Sequence, residues 1–150
     1  MTRRTWTWVA VAIAIVAVAG IAVIYTVSSN GASTDCTVAR EMIAYNKSQD
    51  QLLNASFDPE QEREPSIDQY RQWAARLHTY SARISAPEIA APAARMAAEA
   101  DQMVGLVEKI RSGSFAEDPL KPPPWVQQYA DIARPFHDNL VALDQACPAQ

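Results

Sequence analysis

From Thr5 to Thr34 the chain carries no Asp, Glu, Lys or Arg, and within that stretch Val9 to Val27 reads VAVAIAIVAVAGIAVIYTV. In this run of 19 residues only Tyr25 and Thr26 have polar side-chain atoms. At about 1.5 Å of rise per residue, a helix of that length spans roughly 28 Å, close to the hydrocarbon thickness of a bilayer. With no water in the bilayer core, every backbone amide needs an internal partner, which restricts a lone segment to a helix. Residues 9–27 are therefore expected to form one transmembrane helix, with residues 1–8 before it and a linker, residues 28–34, after it. Trp6 and Trp8 flank one edge and Tyr25 the other, at the headgroup level that amphipathic rings prefer. Arg3 and Arg4 precede the span, whereas Asp35 is the first charged residue beyond it and Arg40 the first basic one. That asymmetry predicts a single-pass protein of the cell (inner or plasma) membrane. Its N-terminus would be cytoplasmic and its domain, residues 35–150, extracytoplasmic.

The competing reading is a cleaved signal peptide, whose apolar region usually runs about 7–15 residues and ends at a small-x-small site. This run is longer, and no A-x-A stands ahead of Asp35. Ser33-Thr34-Asp35 lacks the Leu and small apolar residues that a lipidated Cys36 would need in front of it. Thr2-Arg3-Arg4 lacks the residues that complete a twin-arginine signal. These routes would also deliver the domain outside the cytoplasm. Ala10, Ala14, Ala17 and Gly20 form a small-residue face suited to a second transmembrane helix, though an ordinary Ala/Val-rich span explains them as well.

At 150 residues there is room for the anchor and one domain. With Arg3 and Arg4 set aside, 11 basic residues face 17 acidic ones, a net charge of −6. Such a domain repels phosphate backbones and anionic headgroups, so no nucleic-acid partner is expected. Gly is scarce, at 4 residues, and no window alternates apolar and polar residues as a strand would. Four helical stretches stand out instead. The first runs from Asp35 to about Ser56, with Val38, Ala39, Met42, Ile43, Leu52 and Leu53 at helical spacing. The segment Phe57 to Pro65, rich in acid and proline, reads as a loop.

The second stretch opens on a capping box, Ser66-Ile67-Asp68-Gln69, and continues through Tyr70, Trp73, Ala74, Leu77, Ser81 and Ile84 at steps of three and four. Ser85-Ala86-Pro87-Glu88 has the spacing of another capping box. Pro92 either opens the third helix or bends one that began earlier. That helix carries Met96, Ala100, Met103, Val107 and Ile110 on one stripe, ends in Lys109 and Arg111, and stops at Gly113. After the long Ser112–Pro124 loop, the last helix carries Trp125, Tyr129, Ile132, Phe136, Leu140, Leu143 and Cys147, with Pro135 in its interior. Four helices of about 18–23 residues joined by short connections predict an all-α domain. Its expected form is an antiparallel, up-down-up-down four-helix bundle behind the transmembrane helix.

Only Cys36 and Cys147 occur, at the start of the first helix and the end of the fourth. In that topology the two points share an end, and an oxidising compartment favours a bridge between them. A redox pair would prefer close sequence spacing such as C-x-x-C, so a structural disulfide is expected.

Catalytic chemistry is not visible. His78 and His137 are the only histidines, and neither is preceded by the Glu three residues back that di-iron bundles use. H-E-x-x-H, C-x-x-C-H and G-x-S-x-G are absent. Met42, Met96 and Met103 on apolar stripes read as packing rather than haem ligands. Glu99 with Asp101, and Glu117 with Asp118, read as solvated surface. Asn46-Lys47-Ser48 and Asn54-Ala55-Ser56 match a glycosylation sequon inside a helix. The expectation is no enzyme, no metal and no cofactor.

Two features suit recognition. Pro122, Pro123, Pro124 and Trp125 combine stiff backbone with an aromatic that a partner could contact. The acidic segment from Asp58 to Glu64 is the weaker feature. The functional expectation is an extracytoplasmic helical accessory or scaffold protein contacting a membrane-protein complex, held to the bilayer by residues 9–27. The alternative is a helical module that takes a lipid or other apolar ligand among Tyr70, Trp73, Trp125, Tyr129 and Phe136.

Overall fold

The computed structural model describes residues 34–55, 64–113, 115 and 122–149. The expected transmembrane helix and most of its linker lie outside the described residues. Among those described, no helix is long and apolar enough to cross a membrane. The described chain is all helix and irregular connection, with four helices: α1 (Thr34–Ala55), α2 (Ile67–Ser81), α3 (Pro87–Arg111) and α4 (Pro124–Ala146).

Local sequence explains most of the boundaries. Ser66 accepts a hydrogen bond from the Gln69 amide at 3.3 Å, while the Gln69 side chain accepts from the Ser66 amide at 2.6 Å. This is the expected capping box, and it satisfies two amides that the first turn leaves free. At the end of α3, Gly113 takes a φ of 67°, a left-handed conformation that glycine adopts without a Cβ clash. Pro87 and Pro124 stand at the first positions of α3 and α4, where the missing N–H costs nothing. Pro92 lies inside α3, so the helix begins before it, and Pro135 lies inside α4.

The second capping box does not form. Pro87 requires an extended residue before it, so Ala86 (φ −64°, ψ 117°) becomes the N-cap and the Ser–Glu pair falls one residue out of step. The cap is supplied from α1 instead. One carboxylate oxygen of Asp35 accepts from the Ala86 amide at 2.8 Å and from the Ser85 amide and hydroxyl at 3.2 Å each. The hydrogen bond from Ala86 leads in holding the Asp35 carboxyl below its ordinary value of 3.8; burial opposes it and the two bonds from Ser85 assist. Because the folded value is lowered, this stabilisation is present above the ordinary value and is lost as pH falls through the folded one. Substituting Asp35→Ala is expected to lower stability at neutral pH, with a gap to wild type that shrinks in acid. Denaturant titrations across pH measure it, and a gap that widens in acid contradicts the assignment.

In helix pairs α1/α2, α2/α3 and α3/α4, contacts run in opposite order along the two chains, so consecutive helices point in opposite directions. Arg71 near the start of α2 meets Glu108 near the end of α3 at 2.6 Å, and His78 meets Asp101 at 2.7 Å. Trp73 donates to Asn46 of α1 at 3.0 Å, and Arg83 meets Glu41 at 3.5 Å. The exposed ion pairs among these contribute little energy and serve here to fix the register. Helix α3 packs against all three others, while α1 and α4 also touch.

Every helix places a fully buried residue in the resulting core: Met42, Leu77, Met96 and Leu143. The stripe expected on α3 is only partly right. Met96 and Ala100 are buried, but Met103, Val107 and Ile110 are half-buried, and Val104 and Leu106 are buried instead. A helix with neighbours on three sides buries a wide arc, and the small Ala93 and Ala97 lie inside it. Helices α2 and α3, at 15 and 25 residues, are also less evenly matched than expected. The Pro87 boundary lengthens α3, and buried Ile84 ends up in the connection.

Candidate functional site

The two cysteines are joined. Cys36 and Cys147 form a disulfide with Cα atoms 5.1 Å apart across a sequence separation of 111 residues. Around it, Arg40 donates to the Pro148 carbonyl at 3.2 Å and Asp35 caps the α2–α3 connection, so the start of α1, the end of α2 and the end of α4 converge. Thr34, the first described residue, lies at this end of the bundle.

The proline run stands at the opposite end of α4, roughly 34 Å away for a helix of 23 residues. Pro122 and Pro124 are exposed and Pro123 is half-buried. Trp125 differs from expectation: its side chain is only 8 % exposed, so the indole is not available as an aromatic handle. Three prolines are the part of this motif a partner can reach. At the same end, Arg111 pairs with Glu64 at 3.2 Å, donates to the Pro65 carbonyl and lies over the Tyr70 ring at 5.7 Å. Glu64, from the acidic segment, is thereby tied to α3.

The five aromatics proposed to line a ligand cavity are used in packing. Trp73 lies against Phe136 with ring centroids 5.7 Å apart. Tyr129 is pushed up to about 12, mainly by burial, with the Asp50 charge and Tyr70 adding to it; burial also raises Tyr70, offset by Arg111. None of the five lines the groove of 380 Å³ on the α3/α4 surface, which is bordered by Gln102, Gly105, Leu106, Lys109, Gln128, Asp131 and Ile132. A Cβ at Gly105 would meet nothing within 4 Å, so the groove is open above that residue.

His78 is solvent-facing, as expected, and its Nε2 sits 2.7 Å from Asp101. Among the described residues no three His, Cys, Asp or Glu side chains are grouped to hold a metal ion. Asn46, the acceptor of the first sequon, is half-buried within α1 and spends its side-chain oxygen on Trp73, an unsuitable site for a glycan.

Glu99 overturns the surface reading. It is only 9 % exposed, and both of its carboxylate oxygens accept from Nδ2 of Asn139, at 3.0 and 3.1 Å. That nitrogen also donates to the Pro135 carbonyl at 2.9 Å, and the amide oxygen accepts from Nε of Arg95 at 3.0 Å. A charge on a helical wheel is ordinarily read as solvated. Asn139, at a core position of α4 in line with Phe136 and Leu143, is the one sequence sign of a buried polar contact. Comparison with protein-family models, curated proteins and solved structures gives no match to this chain, so its function is argued from these residues alone.

Proposed function

We propose that the protein is a membrane-anchored, extracytoplasmic accessory or scaffold protein, in which residues 9–27 span the bilayer and an up-down-up-down four-helix bundle contacts a membrane-protein complex. The Cys36–Cys147 disulfide carries this reading. A bridge of this kind belongs to an oxidising compartment, in agreement with the orientation that Arg3 and Arg4 imply. It also ties both ends of the domain next to the linker. Residues 28–33, fully extended, reach at most about 20 Å, so the disulfide end stays near the bilayer. The exposed prolines at the far end of α4 are then offered to a partner that itself projects from the membrane.

Purification of the full chain from its native membrane in mild detergent, followed by mass spectrometry, tests the reading. A membrane protein recovered at stoichiometric level is the expected result, and its loss on replacing Pro122 and Pro124 by Ala would map the contact. Recovery of the chain alone overturns the proposal. Native mass spectrometry of the same material would reveal a bound lipid or other apolar ligand, the rival occupation of the helices.

A further inference from the structure

Helix α3 turns one long face outward, on which Ala98, Asp101, Gln102 and Lys109 are exposed and Gly105 is half-buried. At about 100° per residue this face has a middle line and two edges. Ala98 and Gly105 lie on the middle line. Gln102 and Lys109 form the edge toward α4, where they border the 380 Å³ groove whose apolar lining is Leu106 and Ile132. Asp101 and Glu108 form the edge toward α2, with side chains 58 % and 42 % exposed beside His78 and Arg71. One edge of the face therefore carries donors and the other carboxylates. Lys109 makes no ion pair among the described residues. Nothing inside the fold asks for glycine at 105, since its φ is not positive and a Cβ there would meet nothing within 4 Å. Its low helix propensity leaves bare backbone beside the groove, where another helix can come close.

We infer that this face pairs with the same face of a second copy, the two α3 helices running parallel about a twofold axis along the membrane normal. The direction of the axis rests on the proposed anchor: two copies inserted in one bilayer with the same orientation can be related by no other twofold. An axis parallel to the helices sets the α4-side edge of one copy against the α2-side edge of the other at equal height. Lys109 then stands within one residue rise, about 1.5 Å, of the level of Glu108 in the second copy, and Gln102 as close to the level of Asp101. Each contact places a donor against a carboxylate, and the twofold makes each contact twice. An antiparallel pairing would instead set donor edge against donor edge and acid against acid, which repels. The acidic edge of each copy is thereby seated over the groove of the other, next to Gly105. Asp131, on the far wall of the groove, is held by Gln127 at 2.8 Å. Arg71, which accompanies Glu108 on the incoming edge, brings it a counter-charge. Charge complementarity within a single face is what selects a second copy as the occupant.

Cysteine cross-linking of the full chain in its membrane tests the pairing. Ala98→Cys lies beside the axis, so oxidation with copper phenanthroline is expected to give a disulfide-linked product of twice the chain's mass. Ala44→Cys, exposed on α1, is expected to stay single. Lys109→Glu should lower the yield at residue 98 about 10-fold, because the twofold repeats the exposed pair and each is reversed. Combining it with Glu108→Lys, which exchanges the two charges, should restore the yield. No product at residue 98, a product of another mass, or a yield that ignores Lys109→Glu overturns the inference. Circular dichroism checks that each variant keeps its helices; should the double variant not fold, Lys109→Glu alone decides. Sodium carbonate washing of the same membranes tests the anchor separately. A chain that stays in the pellet without linking at residue 98 sinks the pairing and leaves the anchor standing. A chain released by the wash sinks the anchor, and the membrane-normal axis with it.

Discussion

Removing the disulfide, by Cys36→Ser with Cys147→Ser or by reduction, is expected to cost about 4–5 kcal/mol on the chain-entropy model for a closed loop of this length. The bridge spans 111 residues of sequence, nearly the whole domain, so the unfolded chain gains much freedom when it is cut. Small domains are stable by only about 5–15 kcal/mol, so a loss of this size brings the bundle near its limit. A fall in melting temperature on the order of 15 °C is expected for a domain of this size. Helix α1 should give way first. Among its described side chains the buried ones, Val38, Ala39 and Met42, all lie in its first half, close to Cys36. Thermal melts by circular dichroism with and without reductant provide the check. Each single serine variant should match the double one, since either breaks the same bond. Coincident melting of oxidised and reduced protein would show that the loop contributes no stability.

What the sequence revealed and concealed follows the reach of each interaction. The capping box at Ser66 and Gln69, the stop at Gly113 and the opening at Pro124 depend on residues no more than three apart, and they can be read locally; the opening at Pro87 is masked by the capping-box spacing of Ser85 and Glu88. The disulfide was legible over its long span because the chain has just two cysteines, leaving one possible intramolecular pairing. Asp35 and Glu99 were not legible. Each takes its role from a partner 40 to 51 residues distant, and a carboxylate's spacing on its own helix carries no trace of that partner. Trp125 was misread for a related reason: the prolines before it describe the backbone, while burial of the indole is decided by tertiary packing. On α3 the search for large apolar residues passed over Ala93 and Ala97, whose small side chains let neighbouring helices approach closely. No arrangement of residues in the sequence identified a partner or a ligand, because docking surfaces on helical bundles need no fixed spacing.

Trp73→Ala is expected to cost about 3–5 kcal/mol, comparable to the loss of the disulfide but arising in the folded state rather than the unfolded one. The indole is 7 % exposed and belongs to α2, yet its ring packs on Phe136 of α4 and its Nε1 donates to Asn46 of α1 at 3.0 Å. One side chain thus links three helices, two of which, α2 and α4, have few other contacts with each other. Truncation leaves a cavity where the two rings meet and takes away the donor that Asn46 uses. Trp73→Phe separates the two effects: it keeps an aromatic against Phe136, gives up the N–H, and should cost about 1–2 kcal/mol. Asn46→Ala removes the acceptor and leaves the indole N–H unpaired, at about 1–3 kcal/mol. If the bond is what joins α1 to α2 here, the Phe and Ala changes combined should cost less than their sum, because each breaks the same interaction. Urea titrations followed by circular dichroism give all four stabilities without relying on the fluorescence of the residue replaced. A Trp73→Ala cost below about 1 kcal/mol would be that of a surface residue and would remove Trp73 from the centre of the bundle.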